Sequence, residues 1–149
     1  MVYMTKKRNF KSNNPYHIYN RGNKKERLFL NENDYLYFED ALKYSAGIFK
    51  VWIYTWCLMG NHYHLLVKST NPESIMLMMH RITTSYSFHM RSKYHYVGHI
   101  FQGRYCTVEI ENEEHFQAVL RYIKNNPVKK KLCKKSEDYR WLTVISEEY

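Results

Sequence analysis

Cysteine is scarce in this chain of 149 residues: Cys57, Cys106 and Cys133 are its only thiols, and no two of them form a CxxC pair. An odd number of widely spaced cysteines excludes a disulfide framework and a zinc ribbon, and suits a reducing cytoplasm. No apolar run approaches the roughly 18 residues that a membrane span needs. Residues 1–11 also lack the apolar core of a signal peptide, so a soluble, cytoplasmic protein without a membrane partner is expected. No ATP-binding motif is seen. Acid is in short supply too, with 14 Asp+Glu against 23 Lys+Arg and a formal net charge of +9.

That imbalance favours a polyanionic partner, nucleic acid ahead of an anionic membrane surface, because neutralising phosphates drives such binding. Aromatic residues make up 17% of the chain and 15 of them are Tyr, which suits stacking on unpaired bases; the same rings could equally fill a core. The length fits one domain over residues 1–149, with a core at about 16–127 and a basic tail at 128–149.

Periodicity supplies the elements. Residues 16–21 alternate as a first strand that ends at Gly22, and a polar loop covers 23–27. A helix over 33–46 places Tyr35, Phe38 and Leu42 on one face, with Gly47 as its C-terminal cap. Residues 48–58 read as a long strand, Gly60-Asn61 as a turn, and the next strand begins at His62. A second helix starts at Asn71-Pro72-Glu73 and runs to about Lys93, with Ile75, Met79, Ile82, Tyr86 and Met90 as a core stripe. Residues 104–110 form another strand, and Asn112 caps a third helix that Pro127 limits to Asn126. The order β-α-β-β-α-β-α matches an α+β, ferredoxin-like split βαβ antiparallel sheet with one added helix. The lysines at 129–131, 134 and 135 read either as a solvated face or as a binding surface, and Tyr139 and Trp141 suggest that the tail folds back.

Two signals carry chemistry. In Gly60-Asn61-His62-Tyr63-His64-Leu65-Leu66-Val67, strand alternation points His62 and His64 to one side and Tyr63 to the other. Two neutral imidazoles so placed can hold a divalent metal, although structural histidines also occur in this pattern. In Tyr122-Ile123-Lys124-Asn125-Asn126-Pro127, Tyr122 and Asn126 share one helical face, about 6 Å apart along the axis. Either that face lies over the histidines, with Asn126 as an oxygen ligand, or Tyr122 packs inward and Asn126 merely ends the helix.

These blocks, in their order, resemble the single-tyrosine HUH transposases, in particular the REP-associated tyrosine transposases and their insertion-sequence relatives. Tyr16-His17-Ile18-Tyr19-Asn20-Arg21-Gly22 and Gly98-His99-Ile100-Phe101-Gln102-Gly103-Arg104-Tyr105 extend the match, which covers about residues 16–141. The resemblance implies that His62 and His64 form the HUH motif, that Tyr122 is the nucleophile and that Asn126 is the third metal ligand. It also implies an HUH endonuclease fold. Insertion-sequence relatives commonly carry glutamine at the place of Asn126, and Leu142-Thr143 stand where REP-type members tend to follow the Trp with small hydroxyl residues.

The implied activity is nicking and strand transfer on single-stranded DNA, by way of a 5′-phosphotyrosine and with Mg²⁺ or Mn²⁺. The DNA would carry a hairpin, and the protein would be a monomer or a homodimer. Arg21, Arg104, Arg121 and Lys124 are the candidate phosphate contacts, with Lys6, Lys7 and Arg8 as a basic arm. Two other readings fit the same residues: a module that binds single strands without cutting, and a phosphoesterase that activates water.

Overall fold

The computed structural model describes residues 8–145. Five antiparallel strands form one sheet: β1 (Tyr16–Arg21), β2 (Trp52–Met59), β3 (His62–Lys68), β4 (Cys106–Glu109) and β5 (Leu142–Val144), in the spatial order β4-β1-β3-β2-β5. The first four strands, with helices α1 (Glu32–Phe49) and α2 (Ser74–Tyr94), make the expected split βαβ arrangement. Helix α3 (Glu113–Lys129) is the added helix. Among the described residues no helix is long and apolar enough to cross a membrane.

Strand alternation divides the sheet into two faces. On one face Tyr16, Ile18, Tyr63, Leu65 and Val67 join Phe38 and Leu42 of α1 and the stripe Ile75, Met79, Ile82, Tyr86 and Met90 of α2 in the main core. On the other face Cys57, Met59 and Leu66 meet Ile123 of α3, with Phe116, Val119 and Leu120 packed around them. This second core covers only part of its face, and α3 borders the stretch of β1 and β3 that bears His17, Tyr19, His62 and His64.

Helix α1 is anchored at its start by a capping box, in which Asn31 accepts from the Asp34 N–H while the Asp34 carboxylate accepts from the Asn31 N–H at 3.2 Å. Its end differs from the expectation. Gly47 lies inside the helix, and Lys50, with φ 54°, makes the left-handed turn, with the Val51 N–H donating to the Ala46 carbonyl at 3.0 Å. Residues 48 and 49 therefore belong to α1, and β2 begins only at Trp52.

Helix α3 likewise runs past Pro127 to Lys129. Proline removes only the N–H that would reach Ile123, and the Asn126 and Pro127 carbonyls still accept from Lys130 at 3.0 Å and Leu132 at 2.9 Å. Asn126 is thus held in helical geometry one turn beyond Tyr122.

The tail folds back as Tyr139 and Trp141 suggest: the Tyr139 hydroxyl donates to the Leu58 carbonyl at 2.6 Å, and Trp141 stacks on Tyr35 at 4.4 Å. Beyond the expectation, Leu142 and Thr143 belong to β5, which pairs with β2 at Cys57 and Trp56. Lys6 and Lys7 lie outside the described residues. Arg8 is not a loose arm, since its guanidinium sits 3.9 Å over the Tyr105 ring and donates to the Tyr105 carbonyl.

Candidate active site

Where β1 and β3 meet α3, the surface opens into a cleft of about 970 Å³. His62 and His64 line it from β3, Tyr19 and Arg21 from β1, and Tyr122 and Asn126 from α3. The register explains the meeting: Tyr19 pairs with His64 and Arg21 with His62, so these side chains share one face of adjacent strands. The Tyr122 ring stands edge-on to His64, with 5.6 Å between centroids and 89° between planes.

Hydrogen bonds orient both imidazoles. The His62 Nδ1 lies 2.8 Å from the Asn61 Oδ1, and the Asn61 amide is itself set by donation from its Nδ2 to the Lys25 carbonyl at 3.3 Å. With a carbonyl oxygen as partner, Nδ1 of His62 must carry the proton, which leaves a lone pair on Nε2. The His64 Nδ1 is 3.0 Å from Nε2 of His17, a buried histidine on β1. Burial, reinforced by His17 and His62, pushes His64 down to about 3, and burial with His115 nearby takes His17 to about 4. Burial also lowers His62, against a smaller opposing effect of Asn126. All three rings are neutral at neutral pH, the form that can donate a lone pair to a metal.

Asn126 faces the same cleft from α3. Its side chain is 3% exposed, and Oδ1 accepts no hydrogen bond: it lies near enough to His62 to favour that ring's charge, yet outside hydrogen-bond geometry. A buried carbonyl oxygen without a partner costs stability unless something else fills that role. Among the described residues no group of three or more His, Cys, Asp or Glu side chains is placed to hold an ion, so an ion here would need this amide as its third protein donor. Two neutral imidazoles and an unpartnered amide oxygen suit a small divalent cation that retains open positions.

The cleft is cationic. Arg21, Lys25, Arg104 and Lys130 line it, and no carboxylate is among its lining residues. Arg21 donates to Gln102, which lies on the same rim. Arg121 and Lys124 are outside the cleft, and Lys124 lies 3.8 Å from Glu137. The sequence reading missed Tyr19, Lys25, Lys130 as a cleft residue, Asn61 and His17. Asn61 reads as a turn residue, and only the pairing of β1 with β3 brings His17 and Lys25 to the histidine strand.

A split βαβ sheet with helices on one face and a tyrosine-bearing helix beside a histidine pair on the other defines the HUH fold. The chain belongs to the family of IS200-like transposases, whose model matches residues 10–126. The fold is shared with a REP-associated tyrosine transposase solved in complex with a REP hairpin, at 17% identity and a TM-score of 0.76, over 95% of this chain and 82% of that one. It is shared also with a protein of Deinococcus radiodurans R1 assigned as a transposase, at 20% identity and a TM-score of 0.55, over 82% of this chain and 97% of that one. No curated protein matches the sequence significantly.

Proposed function

We propose that this transposase nicks and rejoins single-stranded DNA through a covalent phosphotyrosine on Tyr122, with Mg²⁺ or Mn²⁺ held by His62, His64 and Asn126. The observation that carries the reading is the joint placement of an unpartnered Asn126 Oδ1, two oriented imidazoles and the Tyr122 ring in one cationic cleft. A bound divalent ion would supply Lewis-acid polarisation of a non-bridging phosphate oxygen.

The chain's own residues do the rest. Arg21, Lys25, Arg104 and Lys130 hold the strand by its phosphates, and the cleft admits a bent single strand more readily than a rigid duplex. Tyr122 is 48% exposed, so its hydroxyl can reach a phosphate laid across the histidines and pass its proton to solvent. In-line attack forms an Oη–P bond and breaks the P–O3′ bond, releasing a 3′-hydroxyl and leaving the 5′-phosphate on Tyr122. Attack by another 3′-hydroxyl reverses the step, joins the new strands and restores the phenol. The ester conserves the bond energy, which agrees with the lack of an ATP motif.

Tyr19 also lines the cleft and is the rival phenol. Its neighbour Cys106, with burial and Tyr122, raises its proton affinity, which disfavours its ionisation. Tyr122 also sits on the helix that carries Asn126, so one rigid element sets the distance from nucleophile to ligand.

The test uses labelled single-stranded DNA from the sequences flanking the gene, including hairpins with single-stranded arms, given that a relative of the same fold was solved on a hairpin. Wild type, Tyr122→Phe and Tyr19→Phe are incubated with and without Mn²⁺ and run on denaturing gels. A metal-dependent protein–DNA adduct in wild type and Tyr19→Phe, absent from Tyr122→Phe, is expected. Cleavage without adduct would replace the proposal with water-activated hydrolysis, and binding without cleavage would replace it with a binding module.

A further inference from the structure

We propose that a second hollow beside the cleft receives one unpaired nucleobase of the bound strand, turned out of its stack by Leu132, which stands between hollow and cleft as an apolar wedge. The inference rests on the reading of the cleft as a channel for single-stranded DNA and adds where one base of that strand goes.

The hollow has a volume of about 450 Å³, within the range of pockets that take small organic ligands. Lys25, Gly60, Asn61 and Leu132 line both it and the cleft, so a strand that passes from the histidines over the Gly60-Asn61 turn enters it directly. Arg27, Tyr139 and Trp141 form its other walls, and no carboxylate is among its lining residues.

These walls are fixed before any ligand arrives. The Trp141 ring stacks on Tyr35 at 4.4 Å and carries the Arg140 guanidinium 4.5 Å from its centroid, while the Tyr139 hydroxyl donates to the Leu58 carbonyl at 2.6 Å. Arg27 donates from Nε to the Phe29 carbonyl at 3.3 Å, and its guanidinium lies against the turn, 3.8 Å from where a Cβ on Gly60 would stand. That bond leaves both Nη groups of Arg27 for the acceptor edge of a base or for its phosphate.

A singly exposed leucine signifies little by itself. Leu132, however, is 52% exposed on the rim that two cationic hollows share, within a run of lysines at 129–131, 134 and 135. Its main chain is held in place: Lys131 takes the left-handed conformation at φ 61°, and the N–H groups of Lys131 and Leu132 donate to the Val128 and Pro127 carbonyls, each at 2.9 Å. The side chain is thus presented at a fixed point while belonging to neither core. Leucine is among the apolar side chains that separate neighbouring bases in nucleic-acid complexes, and turning a base out costs least in an unpaired strand. A base displaced by Leu132 meets Tyr139 and Trp141 as an apolar wall, with Lys25 and Arg27 as donors beside it.

The test measures binding of the full chain to labelled single-stranded DNA from the sequences flanking the gene, in EDTA so that no strand is cut. Each nucleotide is replaced in turn by an abasic one. One position should stand out, at which loss of the base weakens wild-type binding about tenfold. Leu132→Ser should lose about tenfold on intact DNA yet almost nothing further on DNA that is abasic at that position. With 5-iodouracil placed there, irradiation should link the wild-type protein through Tyr139 or Trp141, identified by mass spectrometry, and this link should be absent from Leu132→Ser. Equal losses by Leu132→Ser on intact and abasic DNA, an abasic series without a sensitive position, or links to cleft residues alone would each overturn the inference. Failure of the parent reading looks different. A wild type that binds no single-stranded DNA would remove both, whereas the expected links without any metal-dependent adduct would remove the nicking reading and leave the base-binding hollow standing.

Discussion

The ring of Tyr122 stands perpendicular to that of His64, 5.6 Å away, with no intervening element between the helix that bears one and the strand that bears the other. The phenol reaches this position because Ile123, its neighbour in α3, is fully buried against Cys57, Met59 and Leu66 and fixes the rotation of the helix. Tyr122 itself contributes little burial at 48% exposure. Replacing it with Phe should therefore leave thermal unfolding within about 2 °C of wild type while abolishing the adduct. Calorimetry alongside the gel assay checks this, and a large fall in melting temperature would mean that Tyr122 is structural.

Asn126 poses the opposite trade. Its buried Oδ1 without a partner is a cost that the metal-free fold bears. Asn126→Leu removes that cost and improves helix propensity, so the metal-free variant should be as stable as wild type or more stable by about 1 kcal/mol. Its response to Mn²⁺ should vanish. Urea unfolding with and without the ion measures both effects, and a variant that is strongly destabilised in the absence of metal would show that the amide is a satisfied structural group.

Much of this arrangement is legible in the residues. Alternation along His62-Tyr63-His64 sends Tyr63 into the main core and both imidazoles to the other face, and the four-residue spacing of Tyr122 and Asn126 is plain helix geometry. What periodicity does not carry is strand order. That β1 lies between β4 and β3 decides that His17, Arg21 and Lys25 join the site, and such neighbours are distant in sequence. The helix ends misled for a local reason: Gly47 and Pro127 are common stop signals, but a lysine took the left-handed position after α1, and the bonds from Lys130 and Leu132 carried α3 past its proline. The short β5 has only the segment Leu142–Val144 to announce it.

The placement of the cations divides them into two groups. Arg21, Lys25 and Lys130 line the cleft, whereas Arg121 and Lys124 do not. Neutralising one of the first three to Gln should lower the slope of log K against log salt for single-stranded DNA by about 0.7. Arg121→Gln and Lys124→Gln should leave the slope nearly unchanged. Fluorescence anisotropy across a salt series measures these slopes, and equal losses at all five positions would mean that DNA runs over α3 rather than through the cleft.

Gly22 closes β1 at a point where the chain doubles back tightly. A Cβ there would lie 2.1 Å from the Glu26 carbonyl oxygen, a backbone atom that cannot move aside alone. The same residue donates its N–H to the Asn61 carbonyl at 2.8 Å and accepts from the Lys25 N–H at 3.1 Å, which ties the turn to the residues that orient His62 and line the cleft. Gly22→Ala should therefore cost about 1–3 kcal/mol of stability and weaken Mn²⁺ binding in the protein that remains folded. Denaturant unfolding and a Mn²⁺ titration test it, and a neutral effect on both would show that the turn is free to open.

The other helical layer has its own electrostatic centre, at the start of α1. The fully buried Asp34 carboxylate accepts from the His89 Nε2 at 2.8 Å, the Lys93 Nζ at 3.0 Å and the Tyr94 hydroxyl at 2.6 Å, besides the Leu30 and Asn31 N–H groups at 3.0 and 3.2 Å. Burial opposes its ionisation, but the hydrogen bonds from Tyr94, His89 and Lys93 outweigh burial and hold the carboxyl down at about 2. Because the folded value lies below the unfolded one near 4, the stabilisation is fully present above that unfolded value and is lost as pH falls through about 2. At neutral pH it amounts to about 2 kcal/mol, so Asp34→Asn should lose at least that much, having neither the charge nor the second acceptor oxygen. Urea unfolding of the two proteins should show curves that are well separated at neutral pH and draw together between about pH 4 and 2. A separation that stayed constant across that window would mean that Asp34 stabilises the cap through geometry alone, without the charge on its carboxylate.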